Sequence, residues 1–201
     1  SSANGNGKVS MNKGWAWHFV IFGCSSLSLL GAEDLIIEDF EKKRLDWTFS
    51  GDAFAGYGGG NYWHPGRFDR GLLRTRGHRG YAMLKSWGHD GRDVDGRTGR
   101  ALSHPFKLER NFIRFMMSGG KNPVKISVNL LVDGKVVRAA SGNNSNQLEP
   151  VAFEISPFRE KQAQVEVIDR STDPWGHVCI DDLVQTNDSA EARIANDKKM
   201  P

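Results

Sequence analysis

A chain of 201 residues, 38% hydrophobic and 25% charged, is long enough for one domain with a core of its own, and this composition excludes wholesale disorder. The formal charge of +3 shrinks once Lys8 and Lys13 are set aside, leaving 25 basic against 24 acidic residues. So even a balance gives no ground for a nucleic-acid or anionic-membrane partner. The 23 glycines call for many turns, as an all-β protein needs.

The chain begins with an apparent export pattern. Met11-Asn12-Lys13 precedes the apolar run Trp15 to Phe22, and small residues from Ser25 to Ala32 precede the first acid, Glu33. Residues 1–32 therefore read as an overlong start plus a secretory signal peptide, with cleavage near Ala32. The expected location is secreted, periplasmic or in the cell envelope. The apolar run is too short and too polar for a membrane span. Lipidation at Cys24 is the competing reading, and cleavage at Ala32 would leave Cys179 as a single thiol with no internal disulfide.

Residues 33–186 read as a series of short strands. They start at Leu35-Ile36-Ile37 and Trp47-Thr48-Phe49, and resume after the glycine-rich 55–66 at Gly80 to Trp87. Further strands are expected at 100–106, 112–117, 125–132, 136–140, 151–155, 163–168 and 178–184. Ile113-Arg114-Phe115 and Val165-Glu166-Val167 alternate with period two. Asp133-Gly134 between apolar runs is the strongest hairpin signal. This spacing predicts an all-β, two-sheet antiparallel β-sandwich of jelly-roll type. Residues 187–201 are polar and read as a disordered tail or linker.

Several motifs fail on inspection. Gly56 to Gly60 lacks the Gly-Lys-Ser/Thr ending of a phosphate loop. The stretch 88–96 has Asp93, Asp95 and Gly96 at calcium-loop spacing, but Gly91 and Leu102 stand where carboxylates are needed. The arginines from Arg74 to Arg100 are interrupted by acids and suit a polar loop better than RNA. His64, His89, His104 and His177 sit in no nucleophile elbow or zinc spacing, so no catalytic residue is assigned.

Two aromatic clusters remain. Trp175-Gly176-His177 follows Pro174, and Trp63 lies in Tyr62-Trp63-His64. Each tryptophan is read either as a stacking platform for a sugar ring or as a plug at one end of the sandwich. Glu38, Asp39 and Asp182, with Asp169 and Asp181, fall on the first and last strands. They read either as ligands of a structural calcium or as plain surface acids.

Residues 80–184 resemble the β-sandwich domain at the front of secreted levanases and related fructan-cleaving enzymes of glycoside hydrolase family 32. The carrying blocks are Thr98 to Ser103 with Pro105-Phe106, Ile113 to Gly120, Asn129 to Arg138, Ser141 to Asn144, Ile168-Asp169 and Trp175-Gly176-His177. Asp39-Phe40-Glu41, Trp47 and Gly51 to Phe54 resemble the opening of such domains. Asp173-Pro174 departs from the glycine pair usual before Trp-Gly-His, and Val151 to Glu154 from a Ser-Trp-Asp. The resemblance implies a non-catalytic accessory domain for carbohydrate, plausibly fructan, associated with a glycoside hydrolase domain for which this chain has no room. Trp63, Trp175 and His177 would contact sugar, with Arg138 and Asn129 as weaker polar candidates. A structural domain without glycan binding and a small glycoside hydrolase are the rival readings.

Overall fold

The computed structural model describes residues 32–42, 45–54, 75–86, 95–190 and 192–195, with backbone alone for Tyr62–Trp63. The signal-peptide and Cys24 readings lie outside the described residues, as do His64, His89 and Trp87. Among the described residues no helix is long and apolar enough to cross a membrane.

The described residues form thirteen strands: β1 Leu35–Glu38, β2 Trp47–Gly51, β3 Tyr62–Trp63, β4 Ala82–Lys85, β5 Gly99–Ser103, β6 Phe106–Lys107, β7 Phe112–Gly119, β8 Ile126–Val132, β9 Lys135–Ala140, β10 Ser145–Glu154, β11 Gln162–Asp169, β12 Val178–Thr186 and β13 Arg193–Ile194. One sheet runs β13-β10-β7-β12-β4-β3, with β1 also on β12; the other runs β2-β5-β11-β8-β9, with β6 also on β11. Every pairing is antiparallel except β13 on β10, and the protein is a two-sheet β-sandwich. Such a fold stands because each sheet buries one apolar face against the other.

The period-two segments give the core its two walls. On β7, Ile113, Phe115 and Met117 point inward; on β11, Ala163, Val165 and Val167 do so from the opposite sheet. Phe115 meets Phe153 of β10 at 5.0 Å between ring centres, and Phe40 meets Trp47 at 5.8 Å. Asp133 and Gly134 both adopt positive φ, 52° and 73°, between the paired Val132 and Lys135. That is the mirror-image two-residue turn whose twist matches a hairpin.

Three departures from strict alternation matter. The strand expected at 100–106 breaks at His104-Pro105 into β5 and β6, because Pro105 has no N–H for the ladder. On β12 the register with β7 shifts between Asp181 and Val184, and Asp182 takes φ 51°. This bulge lets Ile180 and Leu183 both enter the core, three residues apart. Third, the tail expected to be disordered is not so throughout. Arg193 and Ile194 pair with Val151 and Ala152 of β10, the N–H of Ala195 donates to the Ala152 carbonyl at 2.8 Å, and Ala195 is buried.

Candidate functional site

The strands end in two sets of loops. The set holding residues 95–98, 120–125, 141–144 and 170–177 gathers around the Trp-Gly-His segment. Asp173 to Gly176 makes a tight turn: the Gly176 N–H donates to the Asp173 carbonyl at 2.8 Å, with Pro174 second and Trp175 third. Trp175 has φ 64°, a value the third position of a type II turn requires and which glycine usually supplies. A bulky residue there costs about 1–2 kcal/mol. Trp175 as a residue is 39% exposed. Trp175 is outside the apolar core cluster.

One carboxylate holds both sides of this turn. Asp95 Oδ2 accepts the Trp175 N–H at 2.8 Å, and its Oδ1 lies 2.8 Å from His177 Nδ1. A carboxylate only accepts, so Nδ1 carries the proton. Nε2 lies 3.3 Å from Asn146 Oδ1. The buried imidazole and the exposed indole stand 5.7 Å apart, tilted by 31°, so the histidine supports the tryptophan from behind. The loop after β7 braces the turn as well. Gly120 donates to the His177 carbonyl at 2.9 Å, and a Cβ on Gly120 would collide with the Trp175 carbonyl oxygen.

Asp169, at the end of β11, lies wholly buried at the root of this loop and accepts the Ser171 N–H at 3.0 Å. Burial pushes its carboxyl up to about 6, against the opposing Ser86 hydroxyl and Ser171 N–H; the Asp95 carboxylate adds to the rise.

The other sequence candidates are placed elsewhere. Trp63 pairs through its backbone with Ala82 of β4, and its side chain lies outside the description. Asn129 is buried on β8, its amide donating to Glu166 at 2.9 Å, and Glu166 in turn holds Arg100. Arg138 is also buried. It donates to the carbonyls of Glu154 and Val137, both at 2.9 Å, and its guanidinium lies 4.9 Å from the Phe158 ring centre. It ties the β9 edge of one sheet to β10 of the other. Neither side chain is presented at the surface.

Glu38 and Asp182 lie on the paired strands β1 and β12, where Glu38 pairs with Leu183. Their oxygens are engaged: Glu38 accepts the Phe40 N–H at 3.1 Å, Asp39 the Glu41 N–H at 3.2 Å, and Asp182 holds the Arg79 guanidinium at 2.8 Å. Neighbouring Asp181, fully buried, accepts the N–H groups of Arg79 and Asp182, and burial pushes its carboxyl up to about 7. Among the described residues no three His, Cys, Asp or Glu side chains gather as metal ligands. A calcium at this corner would have to compete with these bonds.

Sequence reasoning missed Asp95, Asn146 and the acceptor role of Asp181. Asp95 stood in a loop rejected as a calcium site, and nothing local ties it to residues 80 positions away.

No protein-family model matches the chain. It is 33% identical over 102 residues to a protein of Aspergillus rugulosus named as a glycosyl hydrolase, ecdE; the match covers 51% of this chain and only 14% of that protein. Among solved structures, the K2 cleaved adhesin domain of Lys-gingipain aligns with a TM-score of 0.50 at 12% identity, over 77% of this chain and 99% of that one. TmCBM61, solved with β-1,4-galactotriose, aligns at a TM-score of 0.41 and 15% identity, over 70% of this chain and 88% of that one. At such identities the likeness to the adhesin domain is one of fold.

Proposed function

We propose that this chain is an exported, non-catalytic accessory domain that recognises carbohydrate through the Trp175 turn. The observation that carries the reading is the partly exposed Trp175, held in a strained turn by Asp95 and backed by His177. A flat aromatic face on a rigid loop suits the C–H face of a sugar ring, and its rigidity limits the ordering cost of binding. The glycosyl hydrolase name of the Aspergillus relative supports a link to polysaccharide breakdown. Fructan is the finer expectation, resting on the Asn129 to Arg138 and Trp175 to His177 blocks. Export rests on the pattern of residues 11–32.

Affinity electrophoresis of the full chain on levan, inulin, galactan and other polysaccharides tests this, with Trp175→Ala as control. Retention on at least one glycan is expected, weakened at least about tenfold by Trp175→Ala at nearly unchanged melting temperature. A variant that melts much lower while no glycan retards the parent chain would leave a purely structural domain. Release of reducing sugar by the parent chain would indicate a hydrolase.

A further inference from the structure

The charges around Trp175 say what kind of carbohydrate its turn would take, an inference that rests on the reading above. Among the described residues, the acids that touch the turn are hydrogen-bonded, ion-paired or buried. Asp95 spends both oxygens on Trp175 and His177. Asp173 is paired with Lys125 at 2.7 Å, and that ammonium holds its carboxyl below the usual range. Asp169 is buried.

Three cations besides Lys125 stand differently. Lys121, Arg170 and Arg76 are exposed, and none has a carboxylate partner among the described residues. They lie on three segments whose backbone is tied to the turn or to residues that touch it. Lys121 follows Gly120, which packs on the Trp175 carbonyl, and its N–H is fixed to Asn144 Oδ1 at 2.7 Å. Arg170 donates its N–H to the carbonyl of Lys125, the residue whose ammonium reaches Asp173. Arg76 donates its N–H to the Asn146 carbonyl at 2.9 Å, and Asn146 touches His177.

From this arrangement we infer that the Trp175 end binds an acidic polysaccharide, one whose rings carry carboxylate or sulfate groups. The indole takes an apolar ring face, and Lys121, Arg170 and Arg76 take the anionic substituents. Two or three exposed ion pairs support a preference of about fivefold to tenfold over a neutral glycan, and one that salt screens.

The test uses the full chain in affinity electrophoresis and calorimetry. Polygalacturonate serves as the carboxylate polymer, chondroitin sulfate as the sulfated one, galactan and levan as neutral ones, and single-stranded poly(U) as an unrelated polyanion. Tighter binding to either acidic glycan at about 50 mM salt is expected, narrowing at about 300 mM. The double variant Lys121→Glu, Arg170→Glu should lose that preference at unchanged melting temperature. Trp175→Ala should weaken acidic and neutral glycans alike. The carboxylate and sulfate arms distinguish which group is preferred. Neutral glycans bound as tightly as acidic ones, with no effect of charge reversal, would overturn the inference while leaving carbohydrate recognition standing. Poly(U) bound as well as the acidic glycans, indifferent to Trp175→Ala, would overturn it as simple ion exchange. No retention of any glycan would remove both.

Discussion

The two ends of the sandwich are finished in opposite ways. At the Asp133-Gly134 end, charges are neutralised in pairs: Lys107 with Glu160 at 2.6 Å and Lys161 with Asp133 at 3.4 Å. There a cation, Arg138, lies over an aromatic ring and both are turned into the protein. At the Trp175 end, among the described residues, Asp95 is tied to the turn, Lys121, Arg170 and Arg76 stay exposed without a carboxylate partner, and Trp175 is partly exposed. The same strands serve both ends, so the difference resides in loops, which a rigid sheet can carry without itself changing. One end finishes the fold; the other is left available for contact.

The sharpest way to break this comparison is Arg138→Ala. It strips two carbonyls of a buried donor and removes packing on Phe158, so unfolding free energy should fall by about 3 kcal/mol, read by chemical denaturation. Glycan retention per folded molecule should stay as it is. A stable variant that has lost retention would reverse the roles given to the two ends.

Acidity separates the ends next. Asp169, at the root of the Trp175 end, has a folded value of about 6 against an ordinary 3.8, so the folded protein holds its proton more tightly than the unfolded chain. Its contribution is fully present below about pH 4 and is lost as pH rises through 6. Asp181, at about 7, acts in the same sense. At the other end Glu160 is lowered by Lys107, the opposite direction, but it is exposed and screened. Unfolding free energy should therefore fall between about pH 4 and 7, by about 1.4 kcal/mol per pH unit for each buried acid until its folded value is passed. Asp169→Asn should flatten part of that slope; a slope rising with pH would contradict the burial argument.

The smallest effect is the most specific. Trp175→Gly relieves the positive φ and should raise stability by about 1 kcal/mol, while glycan retention is lost. A loss of stability instead would mean that the indole packs more than its exposure shows.

Much of the fold was legible in the residues. Ile113-Arg114-Phe115 and Val165-Glu166-Val167 declared which face each strand buries, and Asp133-Gly134 declared its turn, because each signal lies within a few positions. The first half of β10, Ser145 to Pro150, was passed over because it is polar; there only Leu148 is buried, in a small outer cluster with Met83 and Cys179. The bulge at Asp182 was invisible, since an acidic pair on a final strand does not reveal which residue is extra. Of the site, the sequence picked out Trp175 and His177 by their rarity in a turn. It also offered Arg138 and Asn129 as weaker candidates for sugar, though both are buried, since burial of a polar side chain depends on partners far along the chain.

The two residues of β13 carry the sheet beyond Thr186. The core would allow a boundary just past Thr186, but β10 is an outer strand, and unpaired backbone along its rim is a template for another chain. By covering Val151 and Ala152, Arg193 and Ile194 blunt that rim, and Ala195 seals its corner. A version trimmed after Thr186 would keep nearly all of its apolar interior and still offer a sticky rim to its own copies.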